Sequence, residues 1–181
     1  MVSFSNAAIT LATTSDIPAL LVLLNSAYRG EASRQGWTTE ADLIAGDVRT
    51  DYNDLLRVMQ TPASVMLKYT DPQNEITGCV NLQQRDNKIY LGMFSVSPQL
   101  QGGGIGRQLL LAAEEYARNL NCNYIYMLVI AARAELIAWY KRNNYYDTGE
   151  RIPFKEDDLS GKHLQPLEFM VLEKELISKT H

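Results

Sequence analysis

The chain has 181 residues, 46% of them hydrophobic and 21% charged, with a formal net charge of −4. That length fits one domain spanning residues 1–181, whose core buries roughly two-thirds of the unfolded surface without disulfide or metal staples. The acidic balance and the scatter of lysine and arginine exclude a nucleic-acid groove, which needs concentrated positive charge.

Cys79 and Cys122 form no CxxC or ligand spacing, and the histidines are His163 and the terminal His181. Two reduced, packed thiols and no metal are therefore expected. Residues 1–14 lack the basic start and long apolar run of an export signal. The longest apolar stretch, residues 127–132, is too short to span a bilayer, so a soluble cytoplasmic protein without membrane partners is expected.

Residues 9–13 alternate weakly, as a first strand. Ser15 or Asp16 is placed to cap a helix with Pro18 in its first turn; Leu20, Leu21, Leu23, Leu24 and Ala27 form its apolar face and Gly30 ends it. The polar stretch 29–61 carries Trp37 and two short helical patterns, 40–45 (with Thr38 or Thr39 as cap) and 52–59. Residues 64–69, 76–84 and 89–96 read as strands, joined by a turn at 71–74 and a hairpin tip at 85–88. A long helix is predicted from Gly104 to Leu120, with Ile105, Leu109, Ala113, Tyr116, Ala117 and Leu120 on one stripe. Residues 124–130 form a buried-type strand, 134–142 a helix, and 145–148 and 167–172 begin and end a final strand pair. Antiparallel strands followed by strand–helix–strand–helix–strand define a mixed α/β sheet.

The segment Gln101-Gly102-Gly103-Gly104-Ile105-Gly106-Arg107 lies between a strand and an amphipathic helix, where backbone amides at a helix N-terminus hold phosphate. Glycine admits both close approach and positive φ. A P-loop is excluded because no GK[ST] follows. The dinucleotide pattern GxGxxG also fails, since its third glycine falls on Arg107 or Leu109 depending on the start. What fits is Q/R-x-x-G-x-G/A, and on these residues the chain resembles the GNAT family of acyl-CoA-dependent N-acetyltransferases.

A second segment strengthens the resemblance. The family's Tyr-x-x-x-Gly-Phe/Tyr is met by Tyr140-Lys-Arg-Asn-Asn144-Tyr145, with asparagine replacing the glycine. Asn144 still tolerates a left-handed helix end. The asparagine usual seven residues before the tyrosine is Arg133 here, which either contacts the cosubstrate or is a solvated helix-start residue.

The resemblance covers roughly residues 10–172, with its specific motifs confined to 94–145. It implies a sheet of about seven strands, splayed between the fourth and fifth and flanked by helices. It further implies acetyl-CoA as cosubstrate, with Phe94, Ser95 and Val96 along the pantetheine arm and Gln101 to Arg107 at the pyrophosphate. Tyr140 then assists departure of the thiolate by direct transfer to a primary amine, its alternative being a packed aromatic beside Leu136, Ile137 and Trp139.

Some relatives carry a glutamate on the fourth strand; residues 90–95 contain none, so no general base is assigned. The family's acceptor wall falls between the first helix and second strand. That marks Tyr28, Arg29, Glu31, Arg34, Trp37 and Glu40 as candidate substrate contacts. Glu31 or Glu40 would attract a cationic amine, and Arg29 or Arg34 a carboxylate; the alternatives are a core anchor for Trp37, a solvated loop for the charges and a first-turn helix acid for Glu40. His163, in a polar loop at 157–166, reads as a surface residue. A small-molecule acceptor is expected, and a homodimer is compatible with the family. A CoA-binding module without catalysis is the alternative; retention of Tyr140 speaks for the enzyme and the missing strand-four acid for the module.

Overall fold

The computed structural model describes residues 1–156, 159 and 161–177. Asp157, Asp158 and Ser160 of the polar loop, and His181, lie outside the described residues. Seven strands form one sheet: β1 (Ile9–Leu11), β2 (Ser64–Thr70), β3 (Ile76–Arg85), β4 (Lys88–Val96), β5 (Tyr124–Ile130), β6 (Tyr146–Pro153) and β7 (Glu168–Glu175). Their spatial order is β1-β2-β3-β4-β5-β7-β6, antiparallel except between β4 and β5. The helices are α1 (Ile17–Tyr28), α2 (Gly30–Ser33), α3 (Tyr52–Gln60), α4 (Ile105–Asn119) and α5 (Ala134–Arg142).

Strand alternation sorts the core into two layers. Met66 and Cys79 pack with Leu20, Leu24 and Leu55 from α1 and α3. Their neighbours Leu67 and Val80 pack on the opposite face with Leu109, Ala113 and Ala117 of α4 and Ile137 and Tyr140 of α5. Both free cysteines are buried, Cys79 deeply enough that burial pushes its thiol up to about 12.

The parallel pairing is brief. Lys88, Ile89 and Tyr90 face Tyr124, Ile125 and Tyr126, after which the strands separate while β4 continues to Val96 and β5 to Ile130. A bulge helps to part them. Cys79 opposes Ser95 and Asn81 opposes Gly92, so Val80 alone faces both Met93 and Phe94. Met93 takes a φ of 49°, and the extra residue bends and twists β4. The expected splay is thus present between the fourth and fifth strands.

Two local expectations are corrected. Residues 40–45 make one turn rather than a helix. The Leu43 and Ile44 amides bond Glu40, but the Ala45 amide bonds the Lys162 carbonyl and the Leu164 amide the Leu43 carbonyl. Pairing with the β6–β7 connection takes the groups a longer helix would use. Gly161 permits this, because a Cβ there would lie 2.2 Å from the Ala45 carbonyl oxygen. Neither Ser15 nor Asp16 caps α1 through its side chain: the Asp16 carboxylate instead accepts from the Thr13 amide at 2.8 Å and from Lys68. His163 keeps a third of its side chain exposed and does not line the cavity at the β4–β5 splay; it sits 3.3 Å from the Glu156 carboxylate and edge-on to Phe154.

Candidate active site

The splay opens into a cavity of about 500 Å³ between the ends of β4 and β5, roofed by α5 and the segment after α1. At the end of β4, the Ser97 amide bonds the Thr77 carbonyl at 2.9 Å, fixing the alternation of the β3–β4 ladder. Ser95 and Ser97 therefore bond toward β3, and Phe94 and Val96 turn their backbone groups the other way, toward the splay. Side chains meet both carbonyls: the Tyr28 hydroxyl donates to Phe94 at 3.0 Å and the Gln101 amide to Val96 at 3.1 Å.

The chain then turns sharply. Gly102 and Gly104 take φ values of 86° and 91°, where a side chain is strained. The first bond of α4 runs from the Gln108 amide to the Gly104 carbonyl, leaving the amides of Ile105, Gly106 and Arg107 without helical partners. They sit at the positive end of a 15-residue helix, a ready anion site. A Cβ at Gly106 would lie 3.6 Å from the Phe94 ring and 3.8 Å from Trp139, ordinary contact distances that leave room for alanine as well. Exposed Arg107 and Arg142 stand at the rim, and the Gln101 Oε1 is buried without a partner. Arg142 is a contact the sequence did not mark, although a basic residue in the last turn of α5 was visible.

An aromatic cluster closes the middle of the cavity. Trp139 and Phe94 lie 5.9 Å apart, Phe94 and Tyr140 6.3 Å, and Tyr140 meets Tyr145 edge-on at 5.8 Å. Tyr140 is 3% exposed and lines the cavity, and its hydroxyl makes no hydrogen bond among the described residues. Burial, reinforced by the neighbouring Tyr28 phenol, pushes its pKa far above the ordinary phenol value. The group stays protonated and acts as a donor. Tyr140 thus packs in the core and at the same time lines the cavity.

The far end is built from side chains. Glu40 is buried and accepts from Arg29 on one oxygen and from Arg133 Nη1 on the other, the latter at 3.0 Å. Arg133 Nη2 donates to Thr38 at 2.7 Å, and Thr38 in turn donates to Glu135 at 2.9 Å. Arg133 is 7% exposed, so it is not a solvated helix-start residue; protein groups hold Nη1 and Nη2 while the side chain lines the cavity. Glu40 is likewise no first-turn helix acid. Burial and the Glu40 carboxylate push the Tyr28 phenol up to about 12.

Of the remaining candidates, Tyr28, Trp37 and Ser95 line the cavity, Trp37 with its ring 6.4 Å from Trp139. Arg29 lies behind Glu40. Glu31 and Arg34 are outside: Arg34 pairs with Glu31 at 3.1 Å and Asp42 at 2.8 Å on the surface. Gly103 and Ile105 flank the turn without lining the cavity. The sequence marks Thr38 as a helix-cap candidate and carries no signal of its tie to Arg133. Among the described residues, no cluster of His, Cys, Asp or Glu is placed to hold a metal, and no helix is long and apolar enough to cross a membrane.

A seven-stranded mixed sheet, a splayed parallel pair and a glycine turn feeding a helix N-terminus define an acyl-CoA-type fold. The model of the Acetyltransferase (GNAT) family matches residues 23–145, and the chain belongs to that family. The family uses acetyl-CoA as cosubstrate, and the residues here fit that group: three free helix amides, an unpartnered Gln101 oxygen and an open β4 edge.

Solved structures share the fold. One, provisionally assigned as a phosphinothricin N-acetyltransferase, has a TM-score of 0.71 at 16% identity, covering 94% of this chain and 98% of that one. The ribosomal-protein-S18-alanine N-acetyltransferase of Escherichia coli has a TM-score of 0.69 at 14% identity, covering 95% of each chain. A Salmonella typhimurium protein solved with acetyl-CoA as its cofactor has a TM-score of 0.67 at 19% identity, covering 98% of each. No curated protein sequence matches the chain.

Proposed function

We propose that this protein transfers the acetyl group of acetyl-CoA to the primary amine of a small molecule, by direct attack with both substrates bound. The observation that carries the reading is one continuous cavity with free helix amides at one end and the Tyr140 hydroxyl within it. Acetyl-CoA supplies a thioester, whose acyl carbon is open to an amine and whose sulfur leaves as thiolate.

The chain's own groups divide the work. The amides of Ile105, Gly106 and Arg107 and the rim guanidiniums of Arg107 and Arg142 hold phosphate charge. The β4 edge at Phe94 and Val96 offers backbone groups to an extended amide-bearing arm, and its N–H groups favour negative charge developing on a carbonyl oxygen. Tyr140 donates a hydrogen bond to sulfur. Because burial raises its pKa, it stabilises a thiolate chiefly by that bond rather than by surrendering its proton outright.

Removal of the amine proton needs no dedicated carboxylate here. Among the described residues Glu40 is the one acid lining the cavity, and both its oxygens are engaged by arginine, so neither is offered to an incoming amine. The amine then enters neutral or loses its proton to water, and kcat/KM should climb with pH until the amine is fully deprotonated. A small acceptor is supported by the walls: Trp37, Thr38 and Tyr28 confine the space beside Tyr140.

The test is release of free CoA thiol with a panel of small amines, with Tyr140→Phe as control. Amine-dependent thiol release that falls sharply in the variant supports the reading. Tight acetyl-CoA binding with no transfer to any amine or peptide N-terminus would leave a CoA-holding module instead.

A further inference from the structure

Arg133 spends only part of its hydrogen-bonding capacity. A guanidinium carries five N–H groups in one plane. Nη1 serves Glu40, Nη2 serves Thr38, and the Nε–H is buried with no partner although Arg133 lines the cavity. An unmet donor on a nine-tenths buried charge is costly unless a ligand meets it. The two existing bonds hold the guanidinium plane still, so its Nε edge is pre-oriented; that edge, with a remaining Nη hydrogen, is the geometry that grips a carboxylate through two parallel bonds.

The surrounding electrostatics point the same way. A cationic acceptor would need a free carboxylate in the cavity, and the one acid among its described lining residues is already bonded by two arginines. The two acids that suggested a cationic acceptor from the sequence are thus removed, Glu31 by its position outside and Glu40 by its partners.

We infer that Arg133 is a specificity residue that binds a carboxylate on the acceptor, so that the preferred acceptors are amino acids or other amines bearing an acid group. Glu40 and Thr38 are positioning residues that aim it. The inference rests on the proposed acetyl transfer and adds the acceptor's second functional group.

The experiment compares matched pairs that differ only by the carboxylate: phenylalanine with phenethylamine, tryptophan with tryptamine, and methionine with 3-methylthiopropylamine. Thiol release is measured at fixed acetyl-CoA for wild type, Arg133→Gln and Arg133→Lys, with acetyl-CoA affinity titrated separately in each. Lysine keeps a positive charge for Glu40 and guards against a variant that fails to fold. The expected result is kcat/KM at least ~10-fold higher for the acid-bearing member of a pair, as one charged hydrogen-bonded contact provides. That ratio should collapse toward one in both variants, through KM, while acetyl-CoA affinity holds within about twofold.

Transfer to the plain amines equal to or faster than to their acids overturns the inference and leaves acetyl transfer standing. A variant that loses acetyl-CoA binding instead places Arg133 on the cosubstrate, which also overturns it. Acetyl-CoA binding with transfer only to peptide N-termini overturns it together with the small-molecule reading.

Discussion

At one end of the cavity the groups offered to a ligand are backbone amides, set by the glycine turn and the first turn of α4. At the other end they are side chains drawn together from remote segments, such as Thr38 and Arg133, 95 residues apart. The difference has consequences. Backbone amides carry no titratable proton and survive most side-chain changes, so the glycine end is robust to everything except added bulk. The far end is a network in which each member holds the next, so loss of one strands the others.

Glu40→Gln should break the contrast most severely. It leaves Arg29 and Arg133 buried without their shared carboxylate, and removing one partner of a buried ion pair costs roughly 3–5 kcal/mol. Urea unfolding should show that loss, while acetyl-CoA affinity of the folded fraction stays near wild type. Equal damage to cosubstrate binding would show that the two ends are not separate.

Tyr140→Phe comes next. It keeps the ring in its aromatic cluster and removes only the hydroxyl, so kcat should fall by on the order of 100-fold with little change in stability or KM. Steady-state kinetics with the best acceptor decides this. A fall of less than twofold would reduce Tyr140 to packing.

Alkaline pH sharpens the picture from another side. Burial raises the pKa values of Tyr28, Tyr140 and Tyr145 in the folded state above those of an exposed phenol. The unfolded chain therefore ionises first. Stability from these groups is full below about pH 10 and is lost as pH rises from there toward and beyond about 12, the Tyr28 value. Denaturation midpoints should fall steadily above pH 10, and Tyr140→Phe should blunt the fall. The catalytic rate should show no loss at pH 10 from Tyr140 ionisation.

The smallest effect belongs to Trp37→Ala. The ring is partly exposed and contacts Trp139 on one side, worth about 1 kcal/mol. Acceptor KM should rise a few-fold with acetyl-CoA affinity unchanged, as kinetics with each substrate varied would reveal.

The same contrast explains what was legible in the sequence. The glycine turn and α4 are local: Gly102 and Gly104 are written beside the helix they start, and positive φ demands glycine. The strands followed from alternation, and the splay from the resemblance carried by residues 94–145. The turn at 40–45 was misread because its hydrogen bonds go to Lys162 and Leu43–Leu164 pairing, which local periodicity cannot register. Arg133, Glu40 and Thr38 each looked ordinary alone: a helix-start arginine, a loop acid and a cap. Their meeting depends on how α5 docks over the segment after α1. Met93 gives a further case, since nothing in its identity announces the left-handed backbone of the β4 bulge.

The most direct test of the central claim is calorimetric titration of acetyl-CoA into wild type and Gly104→Glu. The substitution sets a bulky, negative side chain on the amides proposed to hold phosphate, at a position whose φ of 91° disfavours any side chain but lies on the surface of the fold. Saturable binding to wild type, weakened more than ~100-fold in a variant whose circular dichroism is unchanged, is the predicted result. A well-folded wild type that does not bind acetyl-CoA, or a variant that binds it equally well, would contradict the account.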